Sequence, residues 1–300
     1  MPTRSPLELM PELMQLAVDA ARSASDGILS GFRSKRLNTE RKPDGSPVTE
    51  CDRNAETQIR AYLAKHQPEN WPVLGEELGD TSHGARYRWV IDPIDGTLAF
   101  SRGLPTFGTL LAFEDVVEKR ALVGVVHLPA MGETYFAARG LGAWCKSAKS
   151  PVLAVTGAGS PDGEASRGGT AAPGAGAAEK SERLHVASAR PLRECIISAP
   201  PEHYFRLAGI AESEAQLRAQ VPHLRCFADC WAHAMVARGS IDALVEFRLA
   251  RWDIAATEVL IEEAGGRAMI WDSTHTAGKY DCIIGSPAVA DEVAAIVRPR

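Results

Sequence analysis

WVIDPIDGTLAF, residues 89–100, sets an apolar run against an acidic turn. Trp89, Val90 and Ile91 read as a buried strand, after which come Asp92, Pro93, Ile94, Asp95, Gly96 and Thr97. Pro93 fixes its own φ, lacks an N–H and pushes Asp92 toward extended geometry, so the acids sit on a stiff turn at a strand end. Gly96 frees the backbone to approach a ligand closely. TLAFSRG, residues 97–103, predicts one or two turns of helix stopped by Gly103. Its first amides, around Gly96 and Thr97, would make an anion site. Two carboxylates beside an anion site repel each other and the anion. A hard divalent cation such as Mg²⁺, which takes oxygen ligands, would reconcile them. Read alone, the stretch leaves a second possibility open, in which both Asp side chains cap backbone amides of a turn.

Other acids occupy similar positions. VLGEELGD places Glu76 and Glu77 after a short apolar run and Gly75. RWDIAATEVLIEEAGG predicts a helix opening at Trp252–Asp253 and closing at Gly265–Gly266, with Ile254, Leu260 and Ile261 on its apolar face. Taken singly, Asp253 is explained as a first-turn acid favoured by the helix dipole. Asp52 is explained in the same way, behind a Thr49 N-cap.

The 300 residues suggest one large domain or two ordinary ones, and 45% hydrophobic content supports a sizeable core. A net charge of −5 argues against a nucleic-acid binder. No apolar run approaches the ~20 residues that span a bilayer, and the polar-interrupted start is not a signal peptide. The cysteines, at 51, 145, 195, 226, 230 and 282, form no C-x-x-C pair, which fits a reducing cytoplasm. Cys226 and Cys230 lack the partners for a structural zinc site.

Periodicity predicts an amphipathic helix over 6–31 and another from Thr49 to about Lys65. TFGTLLAF, ALVGVVHL, ETYFAA and GAWC then predict an antiparallel meander. Residues 156–182, rich in Gly, Ala, Ser and Pro, read as a flexible insert. Beyond it, strands at RLHVAS, CIISA, LRCF, DALVEF, RAMIW and CIIGS alternate with helices near 202–218, 229–238, 252–265 and 286–297. The chain thus divides into an α+β half, 1–155, the insert, 156–182, and an α/β half, 183–300, that completes the site.

GEE at 75–77, DPIDGT at 92–97, WDIAATEVLIEEAGG at 252–266 and KPDGSPVTECD at 42–52 together resemble the inositol monophosphatase family of metal-dependent, lithium-sensitive phosphatases. The resemblance covers nearly the whole chain outside 150–182. It implies a layered α-β-α-β-α sandwich, a homodimer, and Mg²⁺-dependent hydrolysis of a small phosphate monoester. Two or three Mg²⁺ ions would bind per site, with Mn²⁺ an alternative. The ligands would be the carboxylates of Glu76, Asp92, Asp95 and Asp253 and the carbonyl of Ile94. Thr97 with Asp52, assisted by Glu76, would activate the attacking water. The Gly96 and Thr97 amides would hold phosphate.

The alcohol would be read elsewhere, with Asp95 and Asp253 bordering the substrate. Glu246, seven residues before Asp253, matches a family position that contacts the substrate. Asp229, in CFADCWAH, matches an Asp-Cys pair of bacterial histidinol-phosphate phosphatases within the family. Two acids could pair with an ammonium that a polyol lacks; Asp229 could equally cap the helix that follows it. His233, one turn from Asp229, could line the site, but reads first as a packed helix-face histidine. Leu98, Phe227 and Ala228 depart from the family pattern, and Phe227 would narrow the pocket. Histidinol phosphate is therefore the expected substrate. Inositol phosphate or a sugar phosphate is the alternative. A 3′-phosphoadenosine 5′-phosphate phosphatase and a non-catalytic regulatory protein are weaker ones.

Overall fold

The computed structural model describes residues 5–34, 39–41, 47–148 and 180–298. Most of the predicted insert, and KPDGS at 42–46, lie outside the described residues. A 3₁₀ turn over Pro6–Leu9 leads into α1 (Met10–Ser23) and α2 (Ser25–Arg33) in place of one helix over 6–31. The division falls at Ala24, where Ser23 Oγ donates to Ala20 O (2.6 Å) and Ser25 Oγ to Arg22 O (2.7 Å). Such hydroxyls compete with the helical ladder. A short antiparallel pair, β1 (Thr39–Arg41) and β2 (Pro47–Thr49), precedes α3 (Glu50–His66).

One eight-stranded sheet carries the meander. Its strands are β3 (Val73–Gly75), β4 (Gly79–Asp80), β5 (Tyr87–Asp95), β6 (Gly108–Asp115), β7 (Arg120–Leu128), β8 (Glu133–Ala138), β9 (Gly142–Ser147) and β10 (Lys180–Arg183), with α4 (Thr97–Ser101) between β5 and β6. The order is β10-β9-β8-β7-β6-β5-β3-β4, antiparallel except where β3 runs parallel to β5. Residues 180–182, assigned from sequence to the insert, are part of β10 and pair with β9. The predicted strand RLHVAS is largely irregular: only Arg183 belongs to β10. Beyond it the chain leaves the sheet edge, Leu184 N–H bonding Ala143 O and Val186 N–H bonding Ala264 O.

A five-stranded mixed sheet follows, ordered β12-β11-β13-β15-β14. Its strands are β11 (Ile196–Ser198), β12 (His223–Arg225), β13 (Ala243–Leu249), β14 (Arg267–Asp272) and β15 (Tyr280–Gly285). The helices are α5 (Glu202–Leu207), α6 (Ala211–Gln220), α7 (Asp229–Ala237), α8 (Arg251–Glu263) and α9 (Pro287–Val297). The single helix expected over 202–218 is broken by Gly209, whose φ of +70° ends α5.

Alternation along the strands builds the layers. Trp89, Ile91, Leu111, Phe113, Val123 and Val125 face α1–α3 and close the first core. Val90, Leu110, Ala112, Val126 and Leu128 point the other way, onto α7 and α8. Those two helices also cover Leu244, Cys282 and Ile284 of the second sheet. Val245, Phe247 and Ile283 turn outward to α5, α6 and α9. The result is an α-β-α-β-α sandwich with α7 and α8 as its middle layer. Among the described residues no helix is long and apolar enough to cross a membrane.

Gly124 sets how closely α8 approaches the first sheet, since a Cβ there would lie 2.2 Å from Ala256 O. Gly124→Ala should lower the thermal midpoint by roughly 3–8 °C through overpacking. An unchanged midpoint by circular dichroism would show that α8 does not sit this close.

Candidate active site

β5 does not end cleanly. Asp92 pairs with Leu110 but Asp95 with Gly108, so β5 carries one extra residue at Pro93–Ile94. Such a bulge bends a strand and re-aims its side chains. Thr109 Oγ1 donates to Pro93 O (2.9 Å), and Ile94 N–H donates to Asp92 Oδ1 (3.1 Å), which fixes the turn. Gly96 then takes φ +81°, a left-handed conformation, and α4 begins at Thr97.

Glu76 arrives from the neighbouring parallel strand: its N–H donates to Ile91 O (3.1 Å) just beyond β3. Asp253 comes from the first turn of α8, where it also accepts from Ala250 N–H (2.7 Å). The capping role read from sequence is therefore real, and it leaves the second oxygen available. One carboxylate oxygen each from Asp92, Asp95 and Asp253 lie within 4.8 Å of one another.

All sequence-predicted site residues except Asp52 line one cavity of about 140 Å³, completed by His233 and Leu249. Asp52 stands behind it, buried, accepting at Oδ2 from Thr49 N–H (2.8 Å) and Thr49 Oγ1 (2.5 Å). Its Oδ1 is 3.4 Å from Thr97 Oγ1, which is also 3.0 Å from Ile94 O. Asp229 begins α7 at φ +61°, with Oδ2 close enough that a Cβ on Gly96 would lie 3.2 Å from it. The next residue, Cys230, donates its N–H to Asp95 Oδ2.

Burial and mutual repulsion dominate the electrostatics. Burial first, then Glu76, Asp95 and Asp253, push Asp92 well above the usual carboxylate range. Burial, Asp229 and Asp253 do the same to Asp95. Asp253 rises to about 7, through burial and then Glu76, although the Ala250 N–H opposes the rise. Asp229 rises to about 6 through burial and Glu246. Asp52 is raised by burial. A cation would relieve this crowding, and the donor set of carboxylate oxygens plus the Ile94 carbonyl suits a hard ion such as Mg²⁺.

Two residues do more than the sequence reading assigned them. His233 is not merely packed: Nε2 bonds Glu246 Oε2 (2.8 Å) and Nδ1 bonds Thr257 Oγ1 (2.8 Å). Burial would lower its pKa, but Glu246 reverses this and raises it. Glu246 is thus already half engaged. The other is Glu56, fully buried, which accepts from Glu77 N–H (2.7 Å), Leu78 N–H (3.3 Å) and Arg60 Nε (2.7 Å). It pins the turn that presents Glu76. A Cβ on Gly75 would lie 1.9 Å from Glu56 Oε1, so glycine is required there. The i, i+4 spacing of Asp52, Glu56 and Arg60 on α3 carried the signal.

The crowding has a measurable consequence. A carboxyl whose folded pKa is raised stabilises the fold while protonated. That contribution is lost as pH climbs from the unfolded value, about 4, through the folded values, here about 6 for Asp229 and about 7 for Asp253. A cation that replaces the protons matters most above that window. The rise in Tm on adding millimolar Mg²⁺ should be larger near pH 8 than near pH 5. An equal rise at both would contradict the electrostatic account.

The model of the inositol monophosphatase family matches residues 10–299. A histidinol-phosphatase of Chlorobaculum parvum is 33% identical over 258 residues, 86% of this chain and 85% of that protein. An inositol-1-monophosphatase of Mesorhizobium japonicum is 29% identical, over 85% of this chain and 84% of that one. The solved structure of extragenic suppressor protein suhB from Bartonella henselae superposes with a TM-score of 0.75 at 24% identity, covering 96% of this chain and 98% of that one. With a matched model across nearly its whole length, the chain belongs to the inositol monophosphatase family.

Proposed function

We propose that this phosphatase is a Mg²⁺-dependent hydrolase of phosphate monoesters whose preferred substrate is histidinol phosphate. The observation that carries the substrate is the acidic edge of the cavity, where Asp229 stands over Gly96 near the Glu246–His233 pair. An ammonium on the alcohol would meet a carboxylate there. Such a charge-assisted bond is unavailable to inositol.

Glu76, Asp92, Asp95, Asp253 and the Ile94 carbonyl would hold the ions. Bound Mg²⁺, or Mn²⁺ in its place, supplies neutralisation of the phosphate and a water of lowered pKa. The remaining work belongs to the chain. The Gly96 and Thr97 amides hold a phosphate oxygen, and the absent side chain of Gly96 lets the ester come close. The Thr97 hydroxyl has one proton and two acceptors within reach, Asp52 Oδ1 and Ile94 O. Its oxygen is free to accept from an incoming water, and Asp52 takes up the proton. The raised pKa of Asp52 suits it to that role. Asp95 stays oriented by the Cys230 amide, and as the ester P–O bond breaks the leaving oxygen takes a proton from solvent water on the Asp229 side and departs as the alcohol. A homodimer and a cytoplasmic setting complete the proposal, as does a chain of two halves, 1–155 and 183–300, joined through the segment between them.

A second reading, inositol phosphate or a sugar phosphate, is favoured by the bond between Glu246 and His233. That bond offsets one of the two acids, leaving Asp229 as the unpaired charge of the subsite.

Mg²⁺-dependent phosphate release, compared over histidinol phosphate, inositol 1-phosphate and a sugar phosphate, separates the readings. Asp253→Asn should lose more than the ~10–100-fold typical of an outer-shell residue, with its circular dichroism retained. Asp229→Ala should cost roughly 10–100-fold in kcat/KM on histidinol phosphate, the worth of a charged hydrogen bond, and far less on inositol 1-phosphate. Equal losses on both esters would sink the histidinol assignment. Undiminished turnover by Asp253→Asn would sink the metal site.

A further inference from the structure

The cavity at the carboxylates, about 140 Å³, is small. Pockets that enclose a whole drug-sized ligand hold ~300–1,000 Å³, and one water's share of liquid volume is already ~30 Å³. A phosphate with its cations and their waters would take up most of that volume, which leaves the alcohol half of a substrate to the space alongside. Directly beside it runs a second cavity of about 550 Å³, and Asp229 lines both. Its walls are Leu98 within the short helix α4, Leu104 just beyond it, and Phe227 and Trp231 from the opposite segment.

Those walls are unusually apolar for a surface. Leu98, Leu104 and Phe227 are 62%, 55% and 36% exposed, three of the eight large hydrophobics exposed among the described residues. Apolar exposure gathered in one groove marks a binding surface more often than scattered residues do. The aromatic wall is also fixed in place. The Phe227 and Trp231 rings meet edge to face at 5.4 Å. Ser198, fully buried, donates to Phe227 O (2.6 Å) and accepts from Phe227 N–H (2.9 Å), holding that residue at both backbone groups. Two residues on, Asp229 is held at φ +61°, a conformation that costs a non-glycine residue energy and clusters at functional sites. Cys230 then ties the segment to Asp95. One clamped stretch therefore carries both the aromatic wall and the carboxylate at the junction of the two cavities.

We infer that this groove is the subsite for the alcohol half of the substrate, and that the substrate class is a phosphate ester whose alcohol carries an ammonium near the ester and a flat, uncharged ring beyond it. The inference rests on the phosphatase reading proposed above. The ammonium meets Asp229 at the junction, and the ring lies against Phe227 and Trp231 between the two leucines. Arg102 also lines the groove, which disfavours a second positive charge on the ring.

The test uses free histidinol, the ring-bearing alcohol, as a calorimetric probe of the Mg²⁺-loaded full chain in the presence of inorganic phosphate. It also uses the ratio of kcat/KM for histidinol phosphate over ringless glycerol 2-phosphate. Phe227→Ala and, independently, Leu104→Gln should each weaken histidinol binding and lower that ratio by about tenfold or more. Loss of histidinol binding and a lowered ratio in wild-type-like monomers or dimers supports the subsite. Three results would overturn it: no binding of histidinol by the wild-type protein, unchanged binding and ratio in both variants, or a change of oligomeric state by size exclusion, which would make the groove an interface between copies. Should the wild type bind histidinol with the expected losses yet release phosphate from no ester, the phosphatase reading fails and the groove stands.

Discussion

Mutual repulsion among buried and half-buried carboxylates is the constraint on which this structure turns. Asp92, Asp95 and Asp253 bring oxygens within 4.8 Å of one another inside a packed sandwich, with Glu76 beside them. Like charges in a low-dielectric interior are costly unless protonated or bridged by a cation. The fold spends much of its architecture on holding them there. A parallel pairing of β3 with β5 delivers Glu76, a bulge turns Asp95 inward, and the first turn of α8 supplies Asp253. Glu56, Thr109 and the Ala250 amide hold these pieces from behind. None of the three segments could bring the others into place alone, so the site depends on the complete sandwich.

The middle layer links core to chemistry. α7 and α8 bury their apolar faces between the two sheets, and both present acids at their N-terminal ends. Asp229 and Asp253 therefore inherit their positions from helix packing, and Gly124 lets α8 sit against the first sheet. Cap and site residue are one and the same at Asp253, because a carboxylate has two oxygens and the Ala250 amide uses one. The bland and the functional readings of that residue were never exclusive.

Much of this was legible in the sequence, for identifiable reasons. DPIDGT carries its own geometry: a proline that stiffens, a glycine that must go left-handed, and an apolar strand that fixes the first Asp. The meander was legible because its strands alternate or run apolar. What sequence missed depended on contacts between distant segments. The Glu246–His233–Thr257 chain joins β13, α7 and α8, and no local pattern encodes it. The break at Ala24 arises from serine hydroxyls competing with the helix, which a hydrophobic stripe cannot report. RLHVAS looked like a strand by composition, yet its amides are used to bridge β9 and the end of α8. The charge pattern of α3 does not show that Glu56 reaches the Glu76 turn, where the missing side chain of Gly75 makes room for its carboxylate.

The central claim is that these carboxylates converge on a shared cation whose binding replaces protons. Calorimetric titration of Mg²⁺ or Mn²⁺ into the metal-free protein near pH 6, repeated in buffers of different ionisation enthalpy, counts those protons directly. The account predicts saturable binding with net proton release of about one or more per chain, and loss of both in Asp92→Asn. Binding without proton release, or binding that survives Asp92→Asn unchanged, would contradict it.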